Sequence, residues 1–138
     1  MPQTLTAEEA NQLASQYNGI ADALGKFRSD NWTRLTEAQR EQLRIARNDI
    51  RDEVPELVKL ALKLTLDDLS GTLARIKQAT NGMKTAITHL KNVDKAIKIA
   101  TSLVTLAGAL ASANPAPIAD AIAGVLNAGS DEQGAANN

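Results

Sequence analysis

The chain of 138 residues carries 15 Lys and Arg against 16 Asp and Glu, one histidine and no cysteine. This length predicts a single domain with a continuous core, whereas the missing cysteines exclude disulfides and thiolate metal sites and the lone histidine excludes multi-histidine metal sites. The net charge of −1 and the acidic pI argue against general nucleic-acid binding, for which a basic domain is expected.

Two amphipathic helices are predicted first, each opened by a capping box. Thr6 with Glu9 begins a helix over about 7–28, and Thr36 with Gln39 begins a second one that runs to about residue 53. The second helix carries an arginine stripe formed by Arg40, Arg44, Arg47 and Arg51. The stripe fits either a phosphate-binding face or a solvated face, and the carboxylates between the arginines favour the solvated face.

The next predicted element is a long helix with a heptad seam, which follows a kink or restart at Pro55. The seam consists of Leu66, Leu69, Leu73, Ile76, Met83, Ile87, Leu90 and Ile97. It stays in phase across Asn81-Gly82, so we predict a continuous helix there. Extended to Ala113, this helix would be on the order of 70 Å long.

A basic stretch then leads into an uncharged run. Residues 70–98 hold six bases and one acid, and no charge lies between Lys98 and Asp120. The 15 residues from Ile99 to Ala113 would give about 22 Å of helix, short of the ~30 Å of a hydrocarbon core. Asn114-Pro115-Ala116-Pro117 ends this helix, and a second apolar helix returns from Ile118 to about Leu126. The pattern predicts a C-terminal helical hairpin.

The hairpin has two interpretations, the buried centre of a soluble bundle or a segment that inserts into a membrane. Its small residues and the lysines that precede it favour the membrane-inserting interpretation slightly. The candidate inserting side chains are Ile99, Leu103, Val104, Leu106, Leu110, Ile118, Ile122 and Val125, and the candidate docking bases are Lys84, Lys91, Lys95 and Lys98. Asp94 and Asp120 are candidate pH-sensitive or hinge positions, because protonation lowers the free energy of moving a carboxyl group into lipid.

The seam Leu66–Ile97 followed by the apolar hairpin Ile99–Leu126 resembles the cytolysin-A-like α-helical membrane-inserting toxins. The resemblance is one of architecture and covers under half of the chain. It implies a soluble bundle that hides its hairpin until it meets lipid or a partner.

Enzymatic activity is not expected from the residues present. The adjacent carboxylate pairs (8–9, 52–53 and 67–68) would point about 100° apart on a helix, no glycine-rich phosphate loop occurs, and His89 falls outside the seam. We therefore expect no catalytic residue, no cofactor and no bound metal.

The predicted fold is all-α, an antiparallel bundle of four to five helices with one long coiled-coil-like helix and the apolar hairpin, over residues 1–128. Residues 129–138 are expected to form a disordered polar tail. The first functional hypothesis is a protein that engages membranes, with the basic helix docking and the hairpin inserting in a pore-forming or membrane-perturbing way. The alternative is a soluble interaction module, such as an adaptor, immunity protein or secretion chaperone, that binds a partner or dimerises through the seam.

The localisation expected from the start of the sequence is cytoplasmic synthesis, because Met1-Pro2-Gln3-Thr4 does not open a signal peptide. Membrane association and export without such a signal both stay compatible with this expectation.

Overall fold

A computed structural model describes residues 3–88 and 93–137, with side chains up to residue 87 and from 93 to 128. The described residues form five α-helices: α1 (Ala7–Asp30), α2 (Glu37–Val58), α3 (Leu69–Thr88), α4 (Val93–Ser112) and α5 (Pro115–Asn137). A 3-10 helix (Trp32–Arg34) joins α1 to α2, and two short strands, β1 (Gln3–Thr4) and β2 (Thr65–Leu66), pair antiparallel. The predicted all-α bundle is confirmed.

Helices α1 and α2 begin where their capping boxes predict. The hydroxyls of Thr6 and Thr36 accept hydrogen bonds from the backbone N–H groups of Glu9 and Gln39, whose side chains accept from the cap backbone in return. Of the predicted kink or restart at Pro55, the restart is wrong, because α2 continues to Val58, and the kink stays a prediction. Pro55 lies in the last turn of α2, where it lacks the N–H that would bond to the carbonyl oxygen of Arg51.

Helices α1 and α2 form an antiparallel pair. Asp22 of α1 forms an ion pair with Arg51 at 3.2 Å, and Arg28 donates to the carbonyl oxygen of Arg40 at 2.9 Å. Residue numbers therefore rise along α1 as they fall along α2. The Trp32–Arg34 helix closes this pair at one end of the bundle.

Helices α3 and α4 correct the prediction of one long helix. The hydroxyl of Thr80 in α3 donates to the side-chain oxygen of Gln16 at 2.9 Å, and the hydroxyl of Tyr17 donates to the carbonyl oxygen of Leu103 in α4 at 2.5 Å. In a straight helix, residues 80 and 103 would lie about 35 Å apart, yet both reach the same turn of α1. The chain therefore reverses between α3 and α4: α3 packs along α1, whereas α4 packs on α2 and α5 and reaches α1 through the hydrogen bond at Leu103. Helix α3 does run through Asn81-Gly82 as predicted.

The predicted hairpin is formed by α4 and α5. Ala113, with a φ of 58°, lies between the two helices, and Ser102 and Thr105 of α4 line a groove with Asp120 and Gly124 of α5. The backbone of α5 is helical to Asn137, beyond the predicted start of the tail at residue 129. Alanines occupy part of this segment and have the highest helix propensity of any residue. Because side chains from 129 onward lie outside the described part of the chain, the disorder of the tail stays a prediction.

Replacing Tyr17 with Phe tests the contact between α1 and α4. The Tyr17→Phe variant keeps the buried ring and removes the hydroxyl, so we expect the free energy of unfolding to fall by about 1 kcal/mol. Urea unfolding measures this as a lower midpoint at an unchanged slope. An unchanged midpoint would contradict the proposed contribution of this hydrogen bond to stability.

Candidate functional site on the C-terminal hairpin

The side chains predicted to insert into a membrane form the inner face of the hairpin. Seven of the eight are buried in the core and Val104 is partly buried against it. The buried seven are Ile99, Leu103, Leu106, Leu110, Ile118, Ile122 and Val125. In this conformation they stabilise the bundle.

The opposite side of the hairpin is exposed and uncharged. We call it the outer hairpin face and define it as Thr101, Thr105, Gly108, residues 111–117 and Ala119, all of which are exposed. The exposed residues of α1 and α2, by contrast, include Glu8, Lys26, Arg44 and Arg51. Between Ile99 and Ala119 the hairpin thus combines an apolar inner face with an outer face without ionisable side chains, whereas Asp94, Lys98 and Asp120 are exposed just outside this stretch.

The hydroxyl groups on and beside the outer hairpin face are hydrogen-bonded within α4 itself. Thr101 donates to the carbonyl of Ile97 at 2.9 Å, and Thr105 donates to that of Thr101 at 3.0 Å. Ser102 and Ser112 donate to carbonyls three residues earlier, at 2.8 and 2.6 Å. Removing this face from water therefore leaves these hydroxyl donors satisfied, which is the condition that a low-dielectric environment imposes.

Grooves border α4 on the sides that face α2 and α5. One, of about 290 Å³, lies against α2 and is lined by Ile45, Ala46, Ala100 and Val104 among others. Ile45 is 46% exposed, which is high for a large apolar side chain. Another groove runs between α4 and α5, where a Cβ added to Gly124 would meet no atom within 4 Å.

The lysines predicted to dock on a membrane do not form one surface. Lys84 lies beside Gly19 of α1, Lys95 is buried, and Lys98 is exposed beside Gln42 of α2. Lys91 lies outside the described residues. The three described lysines are dispersed because α3 and α4 run in opposite directions and successive helical residues are rotated by about 100°.

The two carboxylates singled out from the sequence, Asp94 and Asp120, are both exposed. Asp94 stands in the first turn of α4, where a negative charge is favourable. Asp120 lines the groove between α4 and α5 together with Thr105 and Ala109. Among the groups that line this groove, Asp120 is the charged one.

The predicted partner seam is covered by the chain's own helices. Leu66, Leu69, Ile76, Met83 and Ile87 are buried, Leu73 and Ile97 are partly buried, and Leu90 lies outside the described residues. A partner helix would have to displace part of the bundle to reach the buried members of the seam.

Two of the four arginines in the stripe of α2 are paired with carboxylates, as the solvated interpretation predicts, whereas Arg47 is partly buried. Arg44 is hydrogen-bonded to Glu41, and this bond lowers the pKa of the Glu41 carboxyl group. Arg51 pairs with Asp22 of α1. Arg40 differs from these two, because its guanidinium stacks on the Trp32 ring at 4.3 Å from the centroid.

The sequence analysis missed the cluster around Trp32. The guanidinium of Arg28 lies 4.7 Å from the same ring centroid, so two arginines contact one indole. A sequence signal existed, since the single tryptophan of the chain lies beside a helix end, four residues after Arg28 and eight before Arg40. Arg28 lies on α1, however, and the arginine stripe was defined on α2 alone.

The comparisons with known proteins yield no relative: no family model, no curated protein and no solved structure matches this chain. Helix α4 is long and apolar enough to cross a membrane, the one such helix within the described ranges, and 44% of that stretch is buried in the bundle. In the same part of the chain, no group of three or more His, Asp or Glu residues is arranged to hold a metal ion.

Glu53 gives a test of the electrostatics of α2. Partial burial raises the pKa of its carboxyl group, and the neighbouring Glu56, Asp52 and Asp49 raise it further. The ionised form is therefore disfavoured in the folded protein, so Glu53→Gln should increase stability at neutral pH. The gain should disappear as the pH falls through the raised pKa to about 4, because Glu53 is then protonated in both states.

Urea unfolding of wild type and Glu53→Gln at neutral pH and at about pH 4 measures the difference in their free energies of unfolding. Glu37→Gln, in the first turn of the same helix, is the control with the opposite expected sign, because a negative charge there is favourable. A Glu53→Gln variant that is less stable than wild type at neutral pH would contradict the interpretation.

Proposed function

We propose that the protein binds membranes without acting as an enzyme, and that its α4–α5 hairpin enters the lipid in a membrane-perturbing way. The observation that carries this proposal is the absence of ionisable side chains over the 21 residues from Ile99 to Ala119, on both faces of the hairpin. A core helix of a soluble bundle needs an apolar face only toward its neighbours.

The dimensions of α4 support entry into lipid. Its uncharged part, the 14 residues from Ile99 to Ser112, corresponds to about 21 Å of helix, which reaches past the midplane of a ~30 Å hydrocarbon core without crossing the whole core. Asp94, Lys95 and Lys98 all lie in the first two turns, which would remain at the level of the headgroups in a hairpin inserted turn first. Small residues such as Gly108 and Ala109 allow close contact between helices in lipid.

The free-energy balance of hairpin release also supports the proposal. The inner-face side chains would exchange one apolar environment for another, so their transfer from the core to lipid costs little. The losses are the hydrogen bond from Tyr17, about 1 kcal/mol, and the exposure of apolar side chains on α1–α3. Lipid must offset these losses, so we expect binding to require a membrane with loosely packed or anionic headgroups.

Paired glycine variants test the hairpin. A Cβ added at Gly108 in α4 or at Gly82 in α3 would meet no atom within 4 Å, so Glu fits at either position in the folded bundle. We expect wild type and Gly82→Glu to float with vesicles of phosphatidylcholine and phosphatidylglycerol, and Gly108→Glu to bind at least about tenfold more weakly, because a charge at the bilayer centre costs about 2.5–3.5 kcal/mol.

The same vesicles, loaded with a fluorescent dye, report whether binding perturbs the membrane. Dye release by wild type and Gly82→Glu, but not by Gly108→Glu, is the expected result. A wild-type protein that stays with the soluble fraction at neutral and acidic pH, or equal flotation of the two glycine variants, would contradict the proposal.

Asp120 gives an independent prediction. It is the first charge of α5, and moving its carboxylate into lipid opposes insertion. Asp120→Asn should therefore increase vesicle binding at neutral pH, by about tenfold or more. Asp67→Asn, an exposed carboxylate outside the hairpin with the same change in net charge, is the control. Equal binding of the two variants would exclude insertion of α5.

A second candidate function, a soluble interaction module, is favoured by the groove between α2 and α4. The exposed Ile45 side chain, beside Ala100 and Val104, forms an apolar surface that a partner helix can pack against. Self-association is the version of this function that can be measured directly. Sedimentation of wild type and Ile45→Glu over a range of concentrations should show a dimer that the variant loses, whereas a wild-type monomer would exclude dimerisation.

A further inference from the structure

The cluster formed by Arg28, the Trp32–Arg34 helix and Arg40 is here called the Trp32 turn. We propose that the Trp32 turn is a docking site for the headgroups of anionic phospholipids and holds the base of the hairpin at the membrane surface. This inference rests on the proposed membrane function and assigns a partner to a part of the molecule that the hairpin does not include.

The Trp32 turn is a rigid arrangement. Arg40 donates to the carbonyl oxygen of Trp32 through Nε at 2.9 Å and through Nη2 at 2.6 Å, and Arg28 donates through Nε to the carbonyl oxygen of Arg40. These bonds hold a guanidinium group at 4.7 and 4.3 Å from the centroid of the indole ring. Leu35, buried directly after the turn, anchors it to the core.

The exposed part of the turn combines an aromatic ring with positive charge. Trp32 is 43% exposed and Arg34, two residues on, is exposed beside it. Within the described part of the chain, the Arg28 guanidinium donates a hydrogen bond through Nε but none through its terminal nitrogens, which can meet an oxyanion. Its charge also acts on the Glu41 carboxylate that Arg44 binds. An indole flanked by guanidinium groups matches the boundary between phosphates and acyl chains, where tryptophan and basic residues concentrate.

The neighbouring carboxylates leave the turn positive. Asp30 is paired with Lys26 at 3.0 Å, and Glu41 is hydrogen-bonded to Arg44. When Glu37, in the first turn of α2, is counted with the three arginines of the turn, the net charge of this surface is about +2 at neutral pH. An anionic surface is therefore attracted, and a zwitterionic one is not.

The position of the turn suits the proposed insertion. Gln42, in the second turn of α2, lines a groove with Asp94, Ile97 and Lys98 of α4. The base of the hairpin thus lies at the same end of the bundle as the Trp32 turn. In a hairpin inserted turn first, this base stays at headgroup level, the level at which the Trp32 turn would bind phosphate groups.

The single tryptophan makes the inference directly measurable. With vesicles containing phosphatidylglycerol we expect the Trp32 emission to shift to shorter wavelength and to be quenched by brominated acyl chains, with neither change on pure phosphatidylcholine. Added salt should reduce the response, because the attraction is electrostatic.

Paired charge reversals supply the control. Arg34→Glu changes the exposed arginine of the turn without touching the bonds that hold the ring, and Arg75→Glu makes the same change at an exposed position of α3. Arg34→Glu should bind anionic vesicles about tenfold to thirtyfold more weakly than Arg75→Glu. Equal binding of the two variants would overturn the inference.

The outcomes separate this inference from the proposed function. If Gly108→Glu floats less than wild type but anionic vesicles leave the Trp32 emission unchanged, the docking site is overturned and the proposed function of the hairpin stands. In another outcome, the Trp32 emission responds to vesicles only when Arg34 is present, while Gly108→Glu floats with the vesicles to the same extent as wild type. That combination supports the docking site and overturns hairpin insertion. A full response to inorganic phosphate in the absence of lipid overturns the assignment to a membrane.

Discussion

The alignment of α4 in the bundle depends on a buried polar contact in a mostly aliphatic core, the hydrogen bond from the Tyr17 hydroxyl to the carbonyl oxygen of Leu103. Apolar side chains tolerate small shifts of one helix along another, whereas a bond to a single backbone oxygen sets the register of α4 on α1. Burial raises the pKa of Tyr17, so the hydroxyl keeps its proton and remains a donor. Because α3 reaches the adjacent Gln16, one turn of α1 positions both helices.

This arrangement separates two properties of the hairpin. The inner face accounts for stability, since Ile99, Leu103 and Leu110 are buried against the rest of the bundle. Stability alone does not require an uncharged outer face, because substitutions at exposed positions away from special features usually change the free energy of unfolding by less than about 0.5 kcal/mol. The lack of charge at Thr101, Thr105 and Gly108 is what the proposed contact with lipid requires.

The sequence predicts local features of this fold better than its topology. Thr6 and Thr36 with their capping partners define the starts of α1 and α2, and the seam identifies buried residues such as Ile76 and Ile87. A heptad pattern specifies which side of a helix is apolar but not which helix covers it, so the reversal between α3 and α4 is invisible in it. The Trp32 turn was missed for a related reason, because its two arginines belong to different helices.

The residue that joins the two arms of the hairpin has a mechanical consequence. Ala113 adopts a φ of 58°, a left-handed conformation that costs a residue with a Cβ about 1–2 kcal/mol and is usually occupied by glycine. The proline at the start of α5 disfavours a helical conformation at Asn114, so α4 and α5 resist merging into one straight rod. If α4 and α5 leave the bundle, they should therefore move together as one rigid hairpin that rotates about a hinge at the start of α4.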